Sequence, residues 1–371
     1  MNVIYLISRA KKTAGPVNQA LNILTGLNKI PNVHAVLATL SPEMEGNSWL
    51  ERFDENGIKV VQFGKEKNST RKSLSLLKSY IKENQIDVVH SAGYRADFVN
   101  MCLKNHVATI TTQRSLPNEI VEKHPKLLRP FLEKAHLSII KRIDVIVACS
   151  KTLQRVFEKD YHMSIEAVQN SVNTDHFVPV EKNEKKEIRK GLGLPENGRV
   201  FLVLGALNPR KNNALIIDAF KSIERSDIRL VFVGTGSQET DLKELAKKDD
   251  RIVFAGVTGN SKQYYQAADI LVSSSLAEGL PNTVLEAIAC GLPCILSDIE
   301  PHKEIIENEG VGEIFERKSK EQLAKCLSGS FDWDMEEMSK NARLLAENHF
   351  SAKSLAARYL TIYKKAIDEK K

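Results

Sequence analysis

Short apolar runs alternate with longer amphipathic stretches along almost the whole of this 371-residue chain. The runs are rich in β-branched residues and as long as buried strands, whereas the stretches between them carry apolar residues at helical spacing. This alternation is typical of parallel sheets covered by helices, so we predict an α/β protein. The predicted strands are residues 3–8, 34–39, 58–63, 87–91, 108–112, 144–150, 199–207, 228–236, 251–256, 269–275 and 293–298, and the predicted helices are 74–84, 127–141, 214–223, 239–248, 262–268, 283–290 and 352–366.

The alternation is interrupted between residues 178 and 193, where the chain is highly charged, carries a proline and lacks an apolar run of strand length. We interpret this segment as the link between two domains, with a helix leading into the second. The predicted domains are residues 1–178 and 179–349. Two consecutive doubly wound units also predict a ligand between them, at the carboxyl ends of the strands.

Composition narrows the class of protein. Apolar residues make up 42% and charged residues 27%, which is usual for a soluble globular chain. The chain begins with a short apolar run that is followed, not preceded, by basic residues, so we predict a first strand and a cytoplasmic protein. The five cysteines are odd in number and show no CxxC spacing, which argues against a disulfide framework and structural zinc.

The excess positive charge lies in the first half. Residues 1–178 contain 24 Lys and Arg against 17 Asp and Glu, a difference of +7, whereas the remainder contains 29 against 30, a difference of −1. No nucleic-acid module accompanies these charges, so we expect no nucleic-acid partner; an anionic membrane or a phosphorylated acceptor explains them at least as well. Residues 119–142 mix basic and large apolar side chains, which favours either contact with the inner face of the plasma membrane or an ordinary helix with a solvated face.

The segment SSSLAEGLPNTVLEAIACGLPCILSD, residues 273–298, carries the most specific signal. It predicts a strand, a loop, a helix that opens with a Thr283–Glu286 capping box, and a glycine stop before the next strand. The backbone N–H groups of residues 282–284 and the helix dipole predict an anion site suited to a diphosphate. Glu278 could bind sugar hydroxyls and Glu286 a ribose; alternatively, Glu278 is a solvated loop acid and Glu286 only caps the helix.

With this string, the chain resembles the retaining GT-B glycosyltransferases of family 4, whose hallmark is two glutamates separated by seven residues. The resemblance implies two Rossmann-like domains that face each other across a cleft: 1–178 on the acceptor side and 179–349 holding the donor. It implies that the final helix, within 350–371, packs back on the first domain. It also implies retaining transfer from a UDP- or GDP-linked sugar to a glycan or lipid-linked acceptor, in bacterial surface polysaccharide or glycolipid biosynthesis.

The same resemblance assigns residues of the second domain to the donor. Glu278 is expected to contact the sugar and Glu286 the ribose. In GALNPRKNNALIIDAF, residues 205–220, Lys211 matches the family's diphosphate-binding lysine, whereas the usual arginine is Ala206 here; Arg210 could supply the guanidinium instead. Further donor-binding positions by resemblance are Gly234, Gly236, Gly279, Leu280, Asn282 and Thr283.

In the first domain, Gly15 matches a glycine loop that passes close to the diphosphate, although a helix with Pro16 at its first position is the simpler interpretation. Gln113 falls near the position where the family commonly has a histidine that touches the donor sugar. A glutamine can donate a hydrogen bond but cannot titrate. His90, at a strand end, is an alternative that is more often structural. The catalytic candidates are therefore Glu278, Lys211 and Gln113.

In this class, the leaving diphosphate itself is thought to take the proton of the acceptor, so we expect neither a cofactor nor an essential metal. Asp332 and Asp334 spell a metal-binding pattern of another glycosyltransferase fold, which we interpret as coincidence. Two alternatives remain. A nucleotide-sugar epimerase would share the architecture, and the replacements Ala206 and Gln113 would suit a non-catalytic partner subunit.

Overall fold

The computed structural model describes residues 1–11, 15–64, 70–120, 125–307 and 309–370. The chain forms two compact units, Met1–Ser171 with Ala352–Lys371, and Val172–Ser351. The boundary thus precedes the predicted one at 178/179, because the Val172 N–H donates to the Phe350 carbonyl at 2.7 Å and Phe177 packs on the core of the second unit.

The first unit is a doubly wound α/β domain. Its described residues form a seven-stranded parallel sheet in the order β3-β2-β1-β4-β5-β6-β7, so the order reverses between β1 and β4, beside which such folds bind ligands. The strands are β1 Asn2–Ile7, β2 His34–Thr39, β3 Val60–Gln62, β4 Val88–Ser91, β5 Ala108–Gln113, β6 Val145–Ala148 and β7 Glu166–Ala167. The helices are α1 Gly15–Asn28, α2 Leu50–Glu55, α3 Thr70–Glu83, α4 Tyr94–Met101, α5 Pro117–Ile120, α6 Arg129–Ile140, α7 Lys151–Tyr161 and, at the end of the chain, α16 Ala352–Asp368.

The second unit repeats this plan. Its described residues form a six-stranded parallel sheet in the order β10-β9-β8-β11-β12-β13, with the reversal between β8 and β11. The strands are β8 Arg199–Leu204, β9 Ile228–Val233, β10 Ile252–Gly256, β11 Ile270–Ser273, β12 Cys294–Ser297 and β13 Gly312–Phe315. The helices are α8 Lys182–Gly191, α9 Asn213–Lys221, α10 Glu239–Ala246, α11 Ser261–Ala267, α12 Asn282–Ala289, α13 Glu300–Ile306, α14 Lys320–Gly329 and α15 Met335–His349.

Helices cover both faces of each sheet. In the first unit, α1 and α16 pack on one face, where Gly26 of α1 lets the backbone at Ala352 come so close that a Cβ would overlap it. In the second unit, α12 and α15 cover one face, and α9 and α14 the other. None of the described helices combines the length and apolar character that crossing a membrane requires.

Two short strands were not predicted from the hydrophobic pattern, β7 and β13. Each lies at the edge of its sheet, and each is at most four residues long. Both strands offer too few apolar residues for periodicity to detect them, whereas the other two edge strands, β3 and β10, lie within longer apolar runs that were predicted.

Candidate active site

The side chains of Glu278 and Lys211 meet at the carboxyl end of the second sheet. Glu278 lies in the loop between β11 and α12, and Lys211 ends a 3-10 turn, Pro209–Lys211, that follows β8. Lys211 Nζ is 2.6 Å from Glu278 Oε1, and the two side chains are only 15% and 9% exposed. A nearly buried ion pair therefore lies beside the point where the strand order of this sheet reverses.

Further groups keep the Glu278 carboxylate ionised. Ser275 Oγ donates to Glu278 Oε1 at 2.9 Å, and Arg210 Nη1 lies 3.5 Å from Oε2. Burial alone would raise the pKa of Glu278, but the positive charges of Lys211 and Arg210, with the hydrogen bonds from Lys211 and Ser275, outweigh it and hold the pKa below its ordinary value. An ionised carboxylate accepts hydrogen bonds only, which suits the hydroxyl groups of a sugar.

Arg210, the candidate for the missing guanidinium, lies beside the Glu278 carboxylate. Its side chain is 54% exposed and is held by Glu278 and, at 3.4 Å, by the Ala277 carbonyl. Ala206 is exposed and lies with Gly205, Lys211 and Thr283 in the wall of a small cavity at the same edge. Two cationic side chains thus flank one carboxylate beside a concave surface.

A row of serines, which the sequence reasoning missed, holds the two loops together. Ser274 Oγ donates to the carbonyl of Lys211 at 2.9 Å, which fixes the backbone that carries the lysine. Ser297 Oγ, at the end of β12, donates to the Ser275 carbonyl at 2.7 Å. The signal was present as hydroxyl residues at the carboxyl ends of two adjacent strands.

A buried histidine, His302, contacts Ser297 at the end of this row. His302 Nδ1 lies 2.9 Å from the Ser297 carbonyl, so it carries the proton of the ring. Burial lowers the pKa of His302 to about 4, and the imidazole is neutral at ordinary pH. His302, Ser297 and Ser275 therefore form a chain of contacts that ends on Glu278.

The start of α12 differs from the predicted capping box. The helix begins at Asn282, and its N-cap is Pro281, which has no side-chain group that could accept a hydrogen bond. Glu286 therefore does not close a box with Thr283; its Oε2 accepts instead from the hydroxyl of buried Tyr265 at 2.9 Å. The Val284 N–H donates to the Pro281 carbonyl at 3.2 Å. This N–H group was part of the predicted anion site, but its hydrogen bond is already made within the chain.

The predicted donor glycines Gly234 and Gly236 have a packing role. A Cβ at Gly234, where φ is 138°, would overlap the carbonyl of Gly205, and a Cβ at Gly236 would overlap that of Leu207. The loops after β8 and β9 therefore touch through their backbones. Two other predicted donor-binding residues differ in exposure. Leu280 is buried in the core, whereas Gly279 is partly exposed in the loop before α12.

Gln113 lies in a buried cluster of the first unit, not in an open position. It ends β5, is 2% exposed, and donates through Nε2 to Thr111 Oγ1 at 2.9 Å and Asp97 Oδ2 at 3.3 Å. Asp97 is fully buried and is also 2.7 Å from Ser91 Oγ and 3.2 Å from His136 Nε2. Asp97 and His136 were missed, because nothing in the spacing relates α4 and α6 to the end of β5.

His90 is structural, as the sequence favoured. It is fully buried, with Nδ1 2.7 Å from the Tyr363 hydroxyl and Nε2 2.7 Å from Thr112 Oγ1. Burial, and secondarily the charge of Arg114, holds the pKa of His90 well below its ordinary value. The ring thereby joins α16 to the sheet as a neutral group.

Two further residues singled out in the sequence, Gly15 and Asp334, lie at the start of helices. Gly15 is the first residue of α1, and the rest of its predicted glycine loop, residues 12–14, lies outside the described residues. Asp334 caps α15 by accepting from the N–H groups of Glu336 and Glu337, at 3.2 and 3.0 Å. Within the described ranges, no three His, Cys, Asp or Glu side chains are grouped to hold a metal ion.

Two family models match the chain. The model for glycosyl transferases group 1 matches residues 184–345, within the second unit, and that for glycosyltransferase family 4 matches residues 15–176, almost all of them in the first. The two models together span most of the sequence, and the group 1 range contains the Glu278–Lys211 pair.

The chain is also similar to individual bacterial proteins. It is 28% identical over 297 residues, 76% of each chain, to UDP-Gal:alpha-D-GlcNAc-diphosphoundecaprenol alpha-1,3-galactosyltransferase of Escherichia coli. It is 27% identical over 243 residues, 60% of this chain and 54% of the relative, to alpha-monoglucosyldiacylglycerol synthase of Streptococcus pneumoniae. The crystal structure of Anabaena HepE in complex with UDP covers 98% of this chain and all of that chain, with a TM-score of 0.80 at 16% identity, which shows a common fold.

Proposed function

Because the chain belongs to the glycosyl transferases of group 1 and family 4 and has their two-domain GT-B fold, we propose that it is a retaining transferase of bacterial surface polysaccharide or glycolipid biosynthesis. The proposed donor is a UDP- or GDP-linked sugar, and the proposed acceptor is a glycan or a lipid-linked sugar. The observation that carries the proposal is the Glu278–Lys211 ion pair beside the half-exposed Arg210.

In the proposed complex, the donor diphosphate lies against Lys211, Arg210 and the first turn of α12. Glu278 accepts hydrogen bonds from the sugar, and Glu286 from the ribose. Both cations then stabilise the charge that grows on the leaving diphosphate. Because Lys211 is nearly buried, its electrostatic attraction to the diphosphate is stronger than it would be in water.

The proposed reaction breaks the bond between the anomeric carbon and the diphosphate oxygen. The acceptor oxygen forms its bond on the same face of the sugar, and its proton passes to the leaving diphosphate. This step requires no redox group, and two side-chain cations supply positive charge, so we propose no cofactor and no essential metal. Gln113 is not assigned to the step, since its amide N–H groups are directed to Thr111 and Asp97.

The relatives support the choice of donor and acceptor. The name of the E. coli relative specifies a UDP-linked sugar and a diphosphoundecaprenol acceptor, and that of the pneumococcal relative specifies a glucosyldiacylglycerol. HepE was crystallised with UDP. A UDP sugar and a lipid-linked acceptor are therefore the first pair to test. We propose accordingly that the protein works in the cytoplasm, in peripheral contact with the inner, anionic face of the plasma membrane.

A donor screen followed by product analysis tests this proposal. A nucleotide sugar at 100 times its Kd should stabilise the folded protein by about 2.7 kcal/mol, which a thermal shift detects. The donor found is then supplied with polyprenyl-diphosphate-linked sugars, and NMR reads the anomeric configuration of the product. We expect the configuration of the donor.

Lys211→Ala with Lys243→Ala as its control ties the reaction to the site. The first variant removes the charge beside Glu278, whereas Lys243 pairs with Glu239 on the exposed surface of α10. Turnover should fall about 100-fold in the first variant only. Epimerisation of the donor sugar without an acceptor would overturn the proposal in favour of an isomerase, and an inverted product would overturn retention.

A further inference from the structure

Three large apolar side chains protrude from the first unit at the start of α6. Leu127 is 92% exposed, Phe131 73% and Leu128 50%. Leu127 and Phe131 are four residues apart in continuous helical turns, so they project from the same side. Neighbouring exposed apolar side chains of this size mark an interaction site in a soluble domain.

The charged residues along this part of the chain are almost all basic. From residue 125 to 142 the chain has five basic residues and one acidic residue, Glu133. Glu133 is half-buried, and its Oε1 accepts from the Tyr161 hydroxyl at 2.9 Å. The five basic residues are Lys126, Arg129, Lys134, Lys141 and Arg142, of which all but Arg129 are exposed.

The opposite side of α6 fixes this arrangement to the unit. His136, Ile139 and Ile140 are buried, and His136 Nε2 contacts Asp97 at 3.2 Å. The exposed apolar and basic residues are therefore presented by a helix that is anchored on its inner side.

We propose that Lys126, Leu127, Leu128, Phe131 and Lys134, the docking surface, bind an anionic lipid bilayer. The apolar side chains would enter the boundary between headgroups and acyl chains, while the lysines meet the phosphates of the lipids. A protein partner fits less well, since lysine is depleted in the cores of protein interfaces. The inference rests on the proposed function for its purpose, because a lipid-linked acceptor stays at the bilayer.

Flotation of the 371-residue chain with lipid vesicles tests the docking surface. We expect binding to vesicles of phosphatidylglycerol and phosphatidylcholine, and little binding to phosphatidylcholine alone. Leu127→Ser with Phe131→Ser should lower the binding constant at least tenfold. The control is Val257→Ser with Leu344→Ser, which changes two exposed apolar residues of the second unit and should leave binding unchanged.

A second pair of variants tests whether the lysines of the docking surface contribute to vesicle binding. Lys126→Glu with Lys134→Glu should weaken binding at least tenfold at low salt and less at high salt, because salt screens exposed charges. Lys320→Glu with Lys340→Glu, equal charge changes at exposed positions of the second unit, should have a smaller effect. All these variants should melt like the wild type, since the altered residues are exposed.

Three outcomes would overturn the inference. These are wild-type binding by Leu127→Ser with Phe131→Ser, equal binding to neutral vesicles, or a concentration-dependent dimer that the same variant abolishes. The last would assign the surface to a second copy of the chain. Vesicle binding needs neither donor nor turnover, so its failure is distinguishable from failure of the proposed transferase activity.

Discussion

The carboxyl edges of the two sheets hold polar clusters of opposite character. In the second unit, Glu278 and Lys211 lie in loops, with the half-exposed Arg210 beside them. In the first unit, Asp97 and Gln113 are buried and bonded to neighbours within the unit. The same doubly wound plan thus carries a partly exposed polar cluster at one edge, which we call the open edge, and a buried polar cluster at the other, the closed edge. Similar positions in a fold therefore do not imply similar chemistry.

The largest expected effect concerns the closed edge. Asp97→Ala leaves His136, Gln113 and two hydroxyl groups without their buried acceptor, so the free energy of unfolding should fall by about 3–5 kcal/mol. Urea unfolding measures this, with Asp160→Ala, an exposed change on α7, as the control. A loss below about 1 kcal/mol would show that the cluster is not a structural unit.

The open edge should respond in turnover. Glu278→Gln keeps the shape of the side chain but removes the charge that pairs with Lys211, and kcat/KM should fall about 100-fold to 1,000-fold. Glu244→Gln removes a carboxylate from an exposed pair with Lys247 and should have no effect. Full activity of Glu278→Gln would show that the Glu278 carboxylate has no role in the reaction.

Each edge also rests on a buried neutral histidine, which makes stability depend on pH. The folded-state pKa of His302 is about 4, against 6.5 for the free side chain. Between these values the unfolded chain binds more protons, so this histidine's stabilising contribution is complete above pH 6.5 and is lost as the pH falls toward 4, up to about 3 kcal/mol.

Urea unfolding at pH 7 and pH 4.5 measures this loss. His302→Asn, whose amide can still donate to the Ser297 carbonyl, should lose less stability than the wild type between the two values. His90→Asn should behave in the same direction, because the pKa of His90 is also lowered by burial. An unchanged pH dependence in His302→Asn would contradict a neutral buried ring.

The smallest expected effect separates the two cations of the open edge. Arg210 is 54% exposed and 3.5 Å from Glu278, so Arg210→Ala should raise the donor KM only about threefold to tenfold. Arg225→Ala, in an exposed pair with Asp227, is the control. An effect as large as that of Lys211→Ala would make Arg210 a full substitute for the arginine that Ala206 replaces.

The fold could be predicted from sequence because each six-residue strand is rich in apolar or β-branched residues. Glu278 was proposed from the specific string at residues 278–293 and Lys211 from the segment 205–220, and the structure brings these two side chains together. Asp97 and His136 could not, since their contact depends on how α4 and α6 pack. The predicted capping box was wrong because the N-cap is Pro281, two residues before Thr283, a shift that residue preferences do not resolve.

The two ends of the second unit are joined to each other by its own backbone. Val172 donates to Phe350 and forms a parallel bridge with Ser351. The 180 residues from Val172 to Ser351 are therefore a self-closing insert, entered and left at one place. A unit with both ends at one junction can be exchanged between related proteins by a single replacement. The ligand specificity of the second unit can then change while the first unit stays intact.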